Sequence, residues 1–265
     1  MAELENWTCE YGGLLMGAPD SAISLVQVDG LLTLPEVRTS DLVLVQRDGL
    51  WAGDDYLNGR AVTLTVEVYG RDQTEFATAL AGLQAAFRAG RAELPLRFRF
   101  PGLAGGRTAW VRVRPRKRSA PLDLNFAYGV CNVAIELYAT DPKIYADSSR
   151  AVPVTTSLTP PTDPVSRFTV VGSVPAKPVI DIPYATNPRI TDDVTDAFFA
   201  LTYSGRVRID SAKQTVIGSM NEDISSLVVE GSTWPEYEYG EHHLRLTADD
   251  TAVVTAEVSW VEAWT

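Results

Sequence analysis

The stretch Ala61-Val62-Thr63-Leu64-Thr65-Val66-Glu67-Val68-Tyr69-Gly70-Arg71-Asp72-Gln73-Thr74-Glu75-Phe76 decides the fold class. Its first nine residues put Val62, Leu64, Val66 and Val68 on one face and Thr63, Thr65 and Glu67 on the other, the period of a half-buried strand. Gly70 ends that run. Asp72, with Glu75 three residues on, has the form of a capping box, and Phe76, Ala79, Leu80, Leu83 and Phe87 follow at helical spacing until Gly90 stops them. The pattern predicts a strand leading into one amphipathic helix over 72–90 that covers a sheet or a barrel end.

Around this unit the period returns to two. Leu94, Leu96, Phe98 and Phe100 lie against Arg97 and Arg99; Trp110-Val111-Arg112-Val113-Arg114 follows the Gly105-Gly106 turn; and Val130 to Tyr138 runs up to Asp141-Pro142, which breaks the ladder. Residues 1–150 therefore read as mostly β with one helix. From Ala151 to Pro164 (AVPVTTSLTPPTDP) there is no period and many residues lack a backbone donor, so an extended, Pro-rich linker over 151–165 is expected. Beyond it come short runs punctuated by turns: Arg167–Val171, Pro178–Ile182, Ala197–Tyr203, Val207–Asp210, Thr215–Ile217, Leu227–Glu230, His243–Thr247 and Val253–Trp260. That spacing, with no convincing helix, is the pattern of an all-β sandwich or jelly roll over 166–265.

Composition agrees. The 265 residues are 45% apolar and 22% charged, enough for two globular cores. The net charge of −11 is divided unevenly, −2 over 1–150 and −9 over 151–265. No apolar run approaches the ~20 residues of a membrane helix. The start, MAELENWTCEYGG, lacks a signal-peptide pattern, so synthesis and retention in the cytoplasm without membrane insertion are expected. Cys9 and Cys131 then read as reduced structural thiols.

Catalytic signatures are sparse. His242 and His243 are the chain's two histidines, adjacent in a strand and so on opposite faces, and no G-x-S-x-G elbow accompanies them. The glycine-rich stretches 12–17 and 102–106 lack the Lys-Ser/Thr of a phosphate loop and read as turns. Asp192-Asp193-Val194-Thr195-Asp196 reads either as a calcium-holding loop or as a solvated acidic turn. Trp234, Trp260 and Trp264 offer flat faces, with Trp234 a candidate for stacking on a sugar ring and Trp260 and Trp264 core or packing residues. No catalytic residue, cofactor or metal ligand is assigned.

The conspicuous charge feature is Arg107, Arg112, Arg114, Arg116, Lys117 and Arg118, six cations in twelve residues. In unbroken strand spacing Arg112, Arg114 and Arg116 share a face that repels itself unless something acidic answers it, a neighbouring subunit being one candidate and solvent another. The acidic chain and the absence of interleaved aromatics argue against sequence-specific nucleic-acid binding.

The order and spacing of several segments resemble the distal tail proteins (Dit) of long-tailed siphophages, across nearly the whole chain. They are Val28-Asp29-Gly30-Leu31, Leu34-Pro35-Glu36-Val37-Arg38, Asp48-Gly49, Gly53 and Tyr56-Leu57-Asn58-Gly59-Arg60 leading into the strand and capped helix, then Ala139-Thr140-Asp141-Pro142-Lys143-Ile144-Tyr145. In the second half Arg208-Ile209-Asp210-Ser211 with Lys213-Gln214-Thr215-Val216 resembles that family's hairpin, and Val258-Ser259-Trp260-Val261-Glu262-Ala263-Trp264 its terminal strand. The resemblance implies a mainly β protein: a β-barrel-like, ring-forming tail-hub domain over 1–150 with one α-helix, then a galectin-like β-sandwich (jelly roll) over 166–265. It implies a non-enzymatic virion protein at the distal end of the tail. Its hexameric ring would join the tail tube protein to the tail-tip hub, with the tape measure protein in its lumen. Interface candidates are Phe76 and Leu80 on the helix with Arg107, Arg112, Arg114, Arg116, Lys117 and Arg118 on the basic strand. The alternative is a host-surface carbohydrate-binding protein at the tail tip.

Overall fold

The computed structural model describes residues 3–156, 165–250 and 252–265. Two compact units divide it, one ending at Asp147 and the other covering Ser148–Trp264. Both are mainly β, as expected.

In the first unit the elements are β1 (Thr8–Tyr11), β2 (Leu14–Met16), β3 (Ile23–Asp29), the short strands β4 (Val37–Arg38), β5 (Leu42–Val43), β6 (Leu50–Trp51) and β7 (Tyr56–Leu57), then β8 (Arg60–Tyr69), α1 (Gln73–Ala86), β9 (Leu94–Arg99), β10 (Ala109–Ser119), the one-turn α2 (Leu124–Ala127), β11 (Val130–Ala139) and β12 (Ile144–Ala146). The strand read first is β8. Its whole length pairs antiparallel with β11, from Arg60 opposite Ala139 to Tyr69 opposite Val130. Val62, Leu64, Val66 and Val68 are all buried and meet Leu137, Ile135, Val133 and Cys131, also buried, from the facing strand. Helix α1 covers this core with Phe76, Leu83 and Phe87, the last stacked on Tyr11 at 4.8 Å. Asp72 caps it as predicted, its carboxylate accepting from the Thr74 and Glu75 N–H groups, while Glu75 reaches back one residue further than a standard box, to the Arg71 N–H. The helix stops at Ala86 rather than at Gly90, because Phe87 leaves helical geometry (φ −97°, ψ 39°) and turns inward to bury its ring.

The expected barrel is not closed. Pairing follows an open path, β2-β1-β9-β10-β11-β8-β3, with β12 added beside β10. Its two ends touch through a backbone bond, Gly17 N–H to the Ile23 carbonyl at 2.9 Å. Gly17 marks the gap: at φ +84° it leaves the extended region, and β2 ends at Met16 without a ladder to β3.

The second unit comprises β13 (Arg150–Thr155), β14 (Ser166–Val170), β15 (Val179–Thr186), β16 (Arg189–Asp192), β17 (Phe198–Ala200), β18 (Ser204–Asp210), β19 (Thr215–Ile217), β20 (Gly240–Thr247), β21 (Thr255–Trp260) and β22 (Ala263–Trp264). One sheet runs β13-β21-β15-β18-β19 and the other β14-β20-β16-β17. Ile180, Ile182, Val207, Ile209 and Val258 of the first share a core with Val170, Ile190, Phe199, Leu244 and Leu246 of the second. Trp260 lies in this core, and half-buried Trp264 donates its indole N–H to the Val171 carbonyl. The stretch 151–155 is not linker but part of an edge strand. Pro153, opposite Glu257, is tolerated because β13 has a partner on one side only. The rest of the Pro-rich stretch, 157–164, lies outside the described residues. Leu227–Glu230 is not a strand either. A short 3-10 turn over Ser225–Leu227 displaces it and leaves one bridge, between Leu201 and Val228.

Candidate assembly interface

Between Gly30 and Arg60 the first unit sends out an arm. Ladders β4–β7 and β5–β6 zip its two sides, aided by Ser40 Oγ donating to the Asp54 carbonyl, the Gly53 N–H donating to Asp41 and the Asn58 N–H donating to the Glu36 carbonyl. The arm buries little of what it carries. Leu32 is 85% exposed, Val45 83%, Val43 76%, Leu42 69% and Trp51 62%, and Leu34, Leu50 and Tyr56 are exposed as well. Isolated exposed apolar residues are normal, but a concentration like this on one projecting element marks a contact surface.

The neck of the arm is held by one side chain. Arg60 is 1% exposed. Its Nη1 donates to the carbonyls of Gly30 (2.6 Å), Leu31 (3.0 Å) and Thr33 (2.8 Å) where the arm departs, and its Nε donates to that of Pro142 (2.7 Å). All four acceptors are main-chain oxygens, and burial pulls its pKa below the ordinary arginine value. Gly30, at φ +89°, lets the chain leave: a Cβ there would lie 2.0 Å from the Ala61 carbonyl oxygen.

The helix and basic-strand candidates fare differently. Phe76 is a core residue, edge-on to Phe126 at 5.1 Å, and has no surface to offer a neighbour; Leu80 is half-buried. On β10 the simple alternation fails. Residues 109–113 pair with β9 and 114–119 with β11, and the register shifts between Pro115 and Lys117 so that Arg116 is the bulged residue. Arg112, Arg114 and Arg116 therefore do not form one row. Arg112 lies over Trp110, Arg114 is half-buried with its Nε 3.9 Å from Glu93, and Arg116 lies over Tyr138. Lys117 pairs with Glu136, Arg118 donates to the Gln84 carbonyl, and Arg107 is half-buried. Arg116, Lys117 and Arg118 remain exposed to solvent.

In the second unit the acidic turn is neither a metal loop nor solvated throughout. Asp192 is buried, and its carboxylate accepts from the Val194 and His243 N–H groups, Thr195 Oγ1 and His242 Nδ1 (2.7 Å). Those bonds outweigh burial and hold its pKa below the usual carboxylate range. Asp193 binds Arg245 at 2.6 Å. Among the described residues no group of three His, Cys, Asp or Glu side chains converges as metal ligands. Histidines 242 and 243 do point apart, His242 inward and His243 to Glu241. Half-buried Trp234 packs on Phe199 at 4.8 Å and lines a small cavity with Asp192, whose lone pairs are already engaged, so no open stacking face meets a free acceptor there. Cys9 and Cys131 are buried free thiols, and burial pushes Cys9 up to about 12.

An apolar run shows no sign in the sequence of whether it will be covered, so composition does not reveal the arm. Fold comparison gives it a setting. The crystal structure of SPP1 Dit (gp 19.1), described as a paradigm of the hub adsorption apparatus in phages infecting Gram-positive hosts, aligns over 97% of this chain and 99% of its own, with a TM-score of 0.67 and 15% identity. The chain has the fold of a phage distal tail protein. A chain of the phage P2 baseplate in its activated conformation is a looser match, with a TM-score of 0.44 and 9% identity over 93% of both chains. No protein-family model matches the sequence, and no curated protein matches it. The distal-tail fold thus rests on three-dimensional agreement.

Proposed function

We propose that this chain is a non-enzymatic virion protein that assembles as a six-membered ring at the distal end of a phage tail, joining the tail tube to the tip or baseplate. The observation that carries the proposal is the projecting arm: apolar side chains held out on a rigid neck, in a chain with the distal-tail fold, are what a subunit needs in order to grip another copy. Burying one Leu or Val side chain is worth roughly 1.5–3 kcal/mol, so a few of these anchors supply a stable contact. The net charge of −9 over 151–265 disfavours non-specific association through that part of the chain. No helix among the described residues is long and apolar enough to cross a membrane.

The arm tests this proposal directly. Because Leu42, Val43 and Trp51 are exposed in the single chain, the triple variant Leu42→Asp, Val43→Asp, Trp51→Asp is expected to fold with a melting temperature close to wild type. Its mass in light scattering should fall to that of one chain. An oligomer that survives these substitutions would remove the arm from the interface. The host-glycan alternative names Trp234, and the half-burial of that ring against Phe199 gives it no support.

A further inference from the structure

A closed head-to-tail ring needs two different complementary patches on each subunit. Resting on the ring proposed above, we propose that the basic edge Arg116-Lys117-Arg118 of one copy seats in an acidic groove formed near the start of the chain in the next copy.

The groove, about 890 Å³, is lined by Glu3, Glu5, Glu10 and Asp20 around Arg97, beside exposed Leu15. Its cations are already engaged: Arg97 binds Glu10 at 2.8 Å and Asp147 at 2.7 Å, and neighbouring Arg99 binds Glu3 at 3.0 Å. Two guanidinium groups thus face five carboxylates, and Glu5 and Asp20 are exposed to solvent.

The complementary surface is the far half of β10. β9 stops opposite Val113, so beyond it that side of β10 has no strand partner among the described residues. The bulge at Arg116 and the charges at 116–118 guard the edge against indiscriminate strand pairing while leaving it a cationic rim. Lys117 pairs with Glu136, but both side chains are more than half exposed, so that pair is easily exchanged for another.

Along the strand the two patches are set apart within a copy. Arg97 of the groove pairs in register with Trp110, and the seven residues from there to Lys117 span roughly 23 Å along the strand. That is well beyond the ~8 Å over which exposed charges feel each other at physiological ionic strength. Opposite charges set apart on one subunit are satisfied between copies, and repeating the contact propagates a ring.

Charge exchange tests the pairing. Arg116→Glu, Lys117→Glu, Arg118→Glu and, separately, Glu5→Lys, Asp20→Lys should each raise the concentration at which the oligomer half-forms at least tenfold. Far-UV circular dichroism verifies that both fold. The two sets combined in one chain should restore assembly, and wild-type assembly should weaken with added salt. If neither set changes an oligomer that wild type does form, or if the combination fails to rescue, this contact is overturned and the ring stands. If wild type itself stays monomeric at every concentration, the ring proposal fails and this contact with it.

Discussion

Replacing Arg60 with Met should destabilise the first unit by about 3–5 kcal/mol, because it removes the donor shared by four buried or part-buried main-chain carbonyls. Unsatisfied buried acceptors cost about 1–3 kcal/mol each, and water entering the vacated space recovers part of that. For a unit of this size the melting temperature drops by roughly 10 °C. Arg60→Lys keeps a cation able to serve the cluster at Gly30, Leu31 and Thr33 but cannot also bond Pro142, so its loss should be about half as large. Scanning calorimetry of the two variants checks this, and a Met variant within 1 kcal/mol of wild type would mean that the neck is held by its glycines and ladders instead. The functional consequence follows from position: Arg60 joins the departure of the arm to the first residue of β8, so loosening it should weaken assembly even where the unit remains folded.

The second large effect belongs to Asp192. His242 faces oxygen acceptors with both ring nitrogens, the Asp192 carboxylate at 2.7 Å on one side and the Glu238 carbonyl at 2.9 Å on the other, so the buried ring is held from both ends. Asp192→Asn keeps the size but removes the charge and half the acceptor capacity, leaving a buried ring against an amide. A loss of about 3 kcal/mol in the sandwich unit is expected. The same carboxylate gives an acid limb. Its folded pKa lies below the ordinary value of 3.8, so on acidification the unfolded chain takes up the proton first. The stability it contributes is complete above the unfolded value and is lost as pH falls below about 4 through the folded value. Urea titrations between pH 5 and 3 should show this slope in wild type and its reduction in Asp192→Asn. Equal slopes would show that other carboxylates govern acid unfolding.

What was legible in the sequence was what periodicity encodes. β8 declares itself through Val62, Leu64, Val66 and Val68, α1 through Asp72 and Phe76, and β19 residue for residue. Features that depend on distant partners were not legible. A bulge at Arg116 is invisible to an alternation count and dissolves the expected row of arginines. Pro153 argues against a central strand but not against an edge, and nothing local says that an edge is available. Arg60 is a charged residue whose burial is decided by carbonyls from residues 30–33 and 142. The acidic run at 192–196 looks solvated until His242, fifty positions away, is folded against it. The arm is the sharpest case: nothing local in Leu42, Val43 and Trp51 shows whether they will be covered, and the fold leaves them exposed.

Ring formation can be measured on the protein itself. The most direct measurement is the mass of the purified full chain by light scattering over a range of concentrations, with negative-stain imaging of the same peak. Six chains of 28.9 kDa give about 173 kDa, and annular six-fold particles are the predicted result. A single species at 28.9 kDa throughout, with no annular particles, would contradict it.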